Sequence, residues 1–139
     1  MATIKKGMLG ENVKAIPLAG IQDALTAATT TYIGPVDNAE NTTEDIFFIA
    51  PCDGTFVSLY AYLTKAPGGV TTDILTVRKN GSDTSMTCTF SGTATTASTA
   101  ANHFIVSAGD RITVKSVALA AAVSEDLSLS LGFVPTMRV

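Results

Sequence analysis

Residues 72–90 read TDILTVRKNGSDTSMTCTF, two alternating runs joined by Asn80-Gly81. An Asn-Gly pair supplies the two left-handed backbone positions of a tight hairpin, and its flanks repeat with period two. Met86, Cys88 and Phe90 fall on one side of the second run, with Thr87 and Thr89 on the other. A hairpin with one apolar face needs a second layer to cover that face, so the fold class is β before any other segment is read.

The same period extends in both directions. Leu127, Leu129, Leu131 and Phe133 alternate with Ser128, Ser130 and Gly132, and Ile112 and Val114 alternate with Arg111, Thr113 and Lys115. With those at 111–117 and 126–135, further runs cover 30–34, 44–50, 55–65 and 103–107, separated by turn signals at Gly34-Pro35, Pro51–Gly54, Pro67–Gly69 and Gly109-Asp110. In the 55–64 run, the expected faces are Val57, Leu59, Ala61 and Leu63 against Phe56, Tyr60 and Tyr62. A strand apolar on both sides is either central in its layer or covered by a neighbouring chain. About twenty threonines suit half-exposed strand positions. The expectation is an all-β antiparallel jelly-roll β-sandwich of about eight strands over residues 30–139. Residues 91–101, SGTATTASTAA, read as a surface loop.

Residues 1–29 have no such regularity, because Gly7, Gly10, Pro17 and Gly20 interrupt every pattern. They read as an extended N-terminal arm that orders against another subunit or a partner. Within it, Ile21, Leu25 and Ala28 share one face of a possible two-turn helix. The stretch 118–123, ALAAAV, is apolar for a connection and is expected to pack on the arm or a partner.

With 139 residues the chain is one domain long. Its composition, 46% hydrophobic and 15% charged, is too apolar for disorder. No apolar run approaches a membrane span, and the first residues lack the apolar region of a secretory signal. The net charge of −3 and the lack of a basic stripe argue against nucleic acid as a partner. Charge is unevenly placed. Lys5, Lys6 and Lys14 face only Glu11 in the opening segment, whereas residues 15–64 carry six acids and no Lys or Arg.

Catalytic chemistry finds few materials. The single histidine, His103, cannot build a cupin-type metal centre and has no recognisable nucleophile partner; hydrogen bonding to backbone explains it. Cys52 and Cys88 form no metal-ligand spacing; a bridge between them stays open, although low cysteine use favours a reducing cytoplasm. Acids gather in turns, where Asp bonds its own backbone. No catalytic residue, metal or cofactor is expected, and the chain reads as a non-enzyme.

The block at 72–90 and the strand–turn–strand FIVSAGDRITVK at 104–115 resemble virion proteins of tailed bacteriophages. Such blocks occur in small jelly-roll proteins that decorate capsids and in head- or tail-fibre modules. The resemblance implies a homodimer or homotrimer on the virion exterior, assembled in the bacterial host cytoplasm. It further implies that the chain cements the capsid across junctions of the major capsid protein. The alternative it leaves open is a receptor- or carbohydrate-binding module of a fibre. Candidate capsid or subunit contacts are Lys5, Lys6, Lys14, Ile21, Leu25, Tyr60, Tyr62, Leu119 and Val123. Neither nucleic acid nor membrane is an expected partner.

Overall fold

The computed structural model describes residues 16–25, 29–35, 42–68, 72–118 and 125–136. Among them are ten strands: β1 (Ile16–Leu25), β2 (Thr30–Ile33), β3 (Phe48–Ile49), β4 (Gly54–Leu63), β5 (Thr72–Lys79), β6 (Ser82–Ser91), β7 (Thr96–Thr99), β8 (Phe104–Val106), β9 (Arg111–Ala118) and β10 (Glu125–Pro135). No helix occurs among the described residues. The strands form two antiparallel sheets. A front sheet runs β1-β10-β4, with β7 and β8 both paired to the far side of β4. A back sheet runs β9-β5-β6, with β2 and β3 both paired to the outer side of β9.

The hairpin forms as its sequence demands. Asn80 and Gly81 both have positive φ, 51° and 84°, which turns β5 directly into β6. Met86, Cys88 and Phe90 are buried, as are Ile112, Val114, Leu127, Leu129, Leu131 and Phe133. Together with Ile33, Phe48, Leu59, Leu63, Leu75 and Val77 they make one core to which both sheets contribute. The β5–β6 register shifts between Thr76, opposite Thr87, and Arg78, opposite Asp83, so that β6 carries the extra residues opposite Val77. The Thr84 hydroxyl donates to the Val77 carbonyl at 2.7 Å, so the irregularity leaves that acceptor satisfied.

Three readings need correction. The 55–64 run does not keep one parity: the β4–β10 register shifts between Gly132 and Phe133, so Phe133 opposes Phe56 and Gly132 opposes Ser58. The extra residue, Val57, switches the faces. Phe56 therefore points inward with Leu59, Ala61 and Leu63, and Tyr60 and Tyr62 are left outside. Second, Ile21–Leu25 is strand, not helix. The segment read as an arm supplies β1, paired to β10 from Ile16 opposite Phe133 to Leu25 opposite Glu125. Pro17 is tolerated because β1 is an edge strand. Residues 1–15 and 26–28 lie outside the described residues. Third, the stretch read as a surface loop contains β7, registered on β4 from Leu59 opposite Thr99 to Tyr62 opposite Thr96.

Turns meet at one end of the molecule. Ala50 donates to the Asp110 carbonyl and accepts from Gly109 N, both at 2.9 Å, and the Asp53 carboxylate accepts from Ala108 N at 3.0 Å. Gly54 is enforced by packing, since a Cβ there would overlap the Phe133 ring and lie 2.6 Å from the Val134 carbonyl oxygen.

Among the described residues, two buried hydroxyls, Thr31 Oγ1 and Ser116 Oγ, have no hydrogen-bond partner. They belong to residues directly opposite each other on β2 and β9, each 1% exposed. An unpaired buried hydroxyl costs about 1–3 kcal/mol against an apolar group of the same shape. Thr31→Val is accordingly expected to stabilise the fold by about 1 kcal/mol, read as a melting temperature a few degrees higher. An unchanged or lower melting temperature would show that the hydroxyl has a partner in solution.

Candidate functional site

The outer faces of the two sheets differ in chemistry. On the back sheet, Arg78 lies across β5 with its side chain 14% exposed and forms a fork with Glu44, both nitrogen–oxygen distances being 3.0 Å. It also reaches Asp83 and the Gly81 carbonyl, and its guanidinium stacks 5.5 Å from the Tyr32 ring centroid. Lys115 closes the group by pairing with Asp83. Hydrogen bonding to Glu44 raises the Arg78 pKa, and hydrogen bonding from Lys115 lowers that of Asp83. Each charge in this cluster is answered by another within it, so the cluster braces β2, β5, β6, β9 and the approach to β3.

Among the described residues, the front sheet's outer face has no such cluster. Antiparallel register places directly opposed residues on one face. One row runs Ile21, Ser128, Tyr62, Thr96, and the next runs Ala19, Ser130, Tyr60, Ser98. Tyr60 is 57% exposed and Tyr62 50%. Together with Thr96, Ser98, Ser128 and Ser130 they line a shallow groove of about 480 Å³, floored by Ala61, Ala97 and Leu129. None of these nine residues is charged. The tyrosines are half exposed because the bulge at Val57 fixes their parity, and the floor is low because their cross-strand neighbours are serines and threonines.

Of the residues expected to make contacts, Tyr60 and Tyr62 are thus brought side by side on an open face. Ile21 shares a row with Tyr62 by register, while Leu25 stands opposite Glu125 at the far end of β1; the side chains of both lie outside the described residues. Lys5, Lys6, Lys14, Leu119 and Val123 also lie outside them. Thr96, Ser98, Ser128 and Ser130 were missed as groove residues. Their signal was present in the outward serines of 127–131 and in the alternation of 96–99, but no large side chain marked either stretch as a surface with a purpose.

No protein-family model matches the chain, and no curated protein matches its sequence. What the chain does must therefore be argued from its own residues.

The groups considered for chemistry have structural duties. His103 Nε2 lies 2.9 Å from the Ala100 carbonyl, the backbone partner expected of it. Cys52 and Cys88 are free thiols, and burial pushes the Cys88 thiol up to about 12, which keeps it protonated and unreactive. Among the described residues no three of His, Cys, Asp and Glu converge on a metal-sized site. The acidic stretch at 37–41 lies outside them. The Asp110 carboxylate accepts from Asn80 Nδ2 and from Ser107 N, both at 2.8 Å, and pairs with Lys79 at 3.2 Å. Asn80 Oδ1 in turn accepts from Arg111 N at 2.9 Å, so Asp110 ties the hairpin turn to the turn before β9.

Those bonds, the Asn80 one first, lower the Asp110 pKa from 3.8 to about 2. A depressed carboxylate contributes stability that is complete above the unfolded value and disappears as pH falls through the folded one. The Asp110 contribution is therefore expected to persist at pH 4 and to vanish toward pH 2. Carboxyl carbon NMR should give Asp110 a titration midpoint near 2, and a midpoint near 4 would mean that the turn–turn link is not formed in solution.

Proposed function

We propose that this chain is a structural protein of a tailed-phage virion, binding the outside of the capsid across junctions of the major capsid protein and stabilising the shell without catalysis. In this reading copies of the chain associate with one another on the lattice as dimers or trimers, after synthesis in the host cytoplasm. The fold belonging to it is a jelly-roll sandwich. Counting β2 with β3, and β7 with β8, as single interrupted strands leaves eight, ordered 1-8-3-6 in the front sheet and 2-7-4-5 in the back. That order supports a double-sheet roll of two Greek keys, an architecture used in capsid proteins and lectins.

The observation that carries the reading is where the basic opening segment joins the fold. Ile16 begins β1, and β1 is the outer edge of the front sheet. Lys5, Lys6 and Lys14 thus precede a sheet edge, a position from which they can engage an acidic neighbour without any strand being displaced. A ligand that binds only the assembled lattice adds its binding free energy to that lattice, and many copies make weak contacts effective.

The test is co-sedimentation of purified chain with capsids stripped of it. Full-length chain is expected to pellet with the shells. A chain lacking residues 2–15, which keeps β1 whole, is expected to remain in the supernatant while melting at the same temperature. Equal pelleting of both chains would remove the opening segment from the contact, and pelleting of neither would reject decoration.

A further inference from the structure

We infer that the groove across β4, β7 and β10 is a binding site for a neutral oligosaccharide. The inference is independent of how the chain attaches to a capsid, since it concerns the open face of the front sheet and not the segment that precedes it.

Three features select this ligand. The first is the tyrosine pair. Tyr60 and Tyr62 stand two residues apart on one strand face, about 7 Å along β4, and both residues are at least half exposed. A pyranose ring has an apolar carbon–hydrogen face that stacks on an aromatic ring, and two adjacent rings accept two adjacent sugars. The chain's third tyrosine offers no such platform, because Tyr32 is half-buried under Arg78.

The second feature is the lining. Thr96, Ser98, Ser128 and Ser130 contribute four hydroxyls beside the rings. Each donates and accepts, so each can satisfy a sugar hydroxyl in either sense. A lipid or aliphatic ligand would cover these groups without pairing them, at the cost of their desolvation.

The third is charge. No lining residue is ionisable at neutral pH, so nothing there favours a phosphate, a sulfated or sialylated sugar, or a charged peptide. Size separates a glycan from a protein occupant. A concavity of about 480 Å³ is within the range of small-ligand sites. A protein partner needs roughly 800 Å² of matching surface on each side, well beyond two tyrosines and four small hydroxyl side chains.

The chain has three Tyr and no Trp, so tyrosine emission reports directly on the site. Full-length protein would be screened on a printed array of neutral and acidic glycans. Neutral trisaccharides, including chitotriose, maltotriose and cellotriose, would then be tested by saturation-transfer NMR and by emission titration. The inference expects a neutral glycan to bind and to receive saturation on its ring protons. Tyr60→Ala and Tyr62→Ala should each weaken binding about fivefold. Tyr62→Phe should retain it, and Thr87→Ala on the opposite sheet should leave it unchanged. All four variants should melt within a few degrees of the parent, because the side chains replaced are solvent-facing. The inference is overturned if no glycan on the array binds, if only acidic glycans bind, or if binding survives both tyrosine-to-alanine changes. It is equally overturned if either change instead dissociates an oligomer in sedimentation, which would make the face a subunit interface.

Discussion

Phe56→Ala is expected to cost about 3–5 kcal/mol of unfolding free energy, the largest effect of any single truncation proposed for this chain. Phe56 is fully buried, between side chains of the two strands that flank β4. Its ring stacks on Phe104 of β8 with centroids 5.1 Å apart, and meets Phe133 of β10 at 5.2 Å with a tilt of 46°. Phe133 in turn is seated against Gly54, where no Cβ fits. Removing the central ring leaves a cavity that the outer rings cannot close, because the β4 bulge and Gly54 fix the backbone on either side. Urea unfolding should show the midpoint falling with an unchanged slope. A loss under 1 kcal/mol would mean that Phe56 is not inside, and hence that the parity switch at Val57 is wrong.

The second large effect is expected at Arg78. Truncation to Ala leaves Glu44, whose side chain is 15% exposed, without the fork that satisfies it, and releases Asp83 and the Gly81 carbonyl. Breaking a fully buried pair costs about 3–5 kcal/mol and a fully exposed one about 0–1, so this half-buried cluster should lose about 2 kcal/mol. Arg78→Lys keeps the charge but not the planar fork, and should recover only part of the loss. A double-mutant cycle between Arg78→Ala and Glu44→Ala is expected to return a coupling of about 1–2 kcal/mol. The Asp83 pKa is lowered, so its share of the cluster is present above the ordinary carboxylate range and lost as pH falls below it. Repeating the cycle under acid should therefore shrink the coupling. A coupling near zero at neutral pH would mean that the cluster is a solvated crossing of side chains and braces nothing.

Much of the architecture was legible because large apolar residues alternate with small polar ones. Leu127, Leu129, Leu131 and Phe133 can be buried together only by a strand, and Asn80-Gly81 admits little but a tight turn. The readings that failed did so where that signal is physically weak. β1 contains Pro17 and Gly20, which would argue against a central strand but are admissible at an edge. β7 buries no large side chain; Thr96–Thr99 is held by backbone pairing to β4 and by its fit beside Tyr60 and Tyr62. The run at 44–50 has strand composition, yet only Phe48–Ile49 pairs, opposite Ile112 and Arg111. The bulge in β4 is invisible to periodicity, because one extra residue inverts the faces on either side of it without changing composition.

The groove shows the same limit more sharply. Tyr60 and Tyr62 stood out in the sequence as a pair, but their cross-strand neighbours Ser98, Thr96, Ser130 and Ser128 are distant along the chain and are small, common and polar. Register alone brings them together. A face whose character comes from serines and threonines on two strands beside the tyrosines of a third carries no local signature, whereas a face built on one strand would have.

The most direct test of the structural-protein reading is cryo-electron microscopy of the native particle that carries this chain, with the main chain traced into density. Decoration predicts copies at regular sites over the shell, bridging junctions of the major capsid protein, with residues 1–15 in contact with it. Density confined to the tail or a fibre tip, over a bare shell, would contradict that reading.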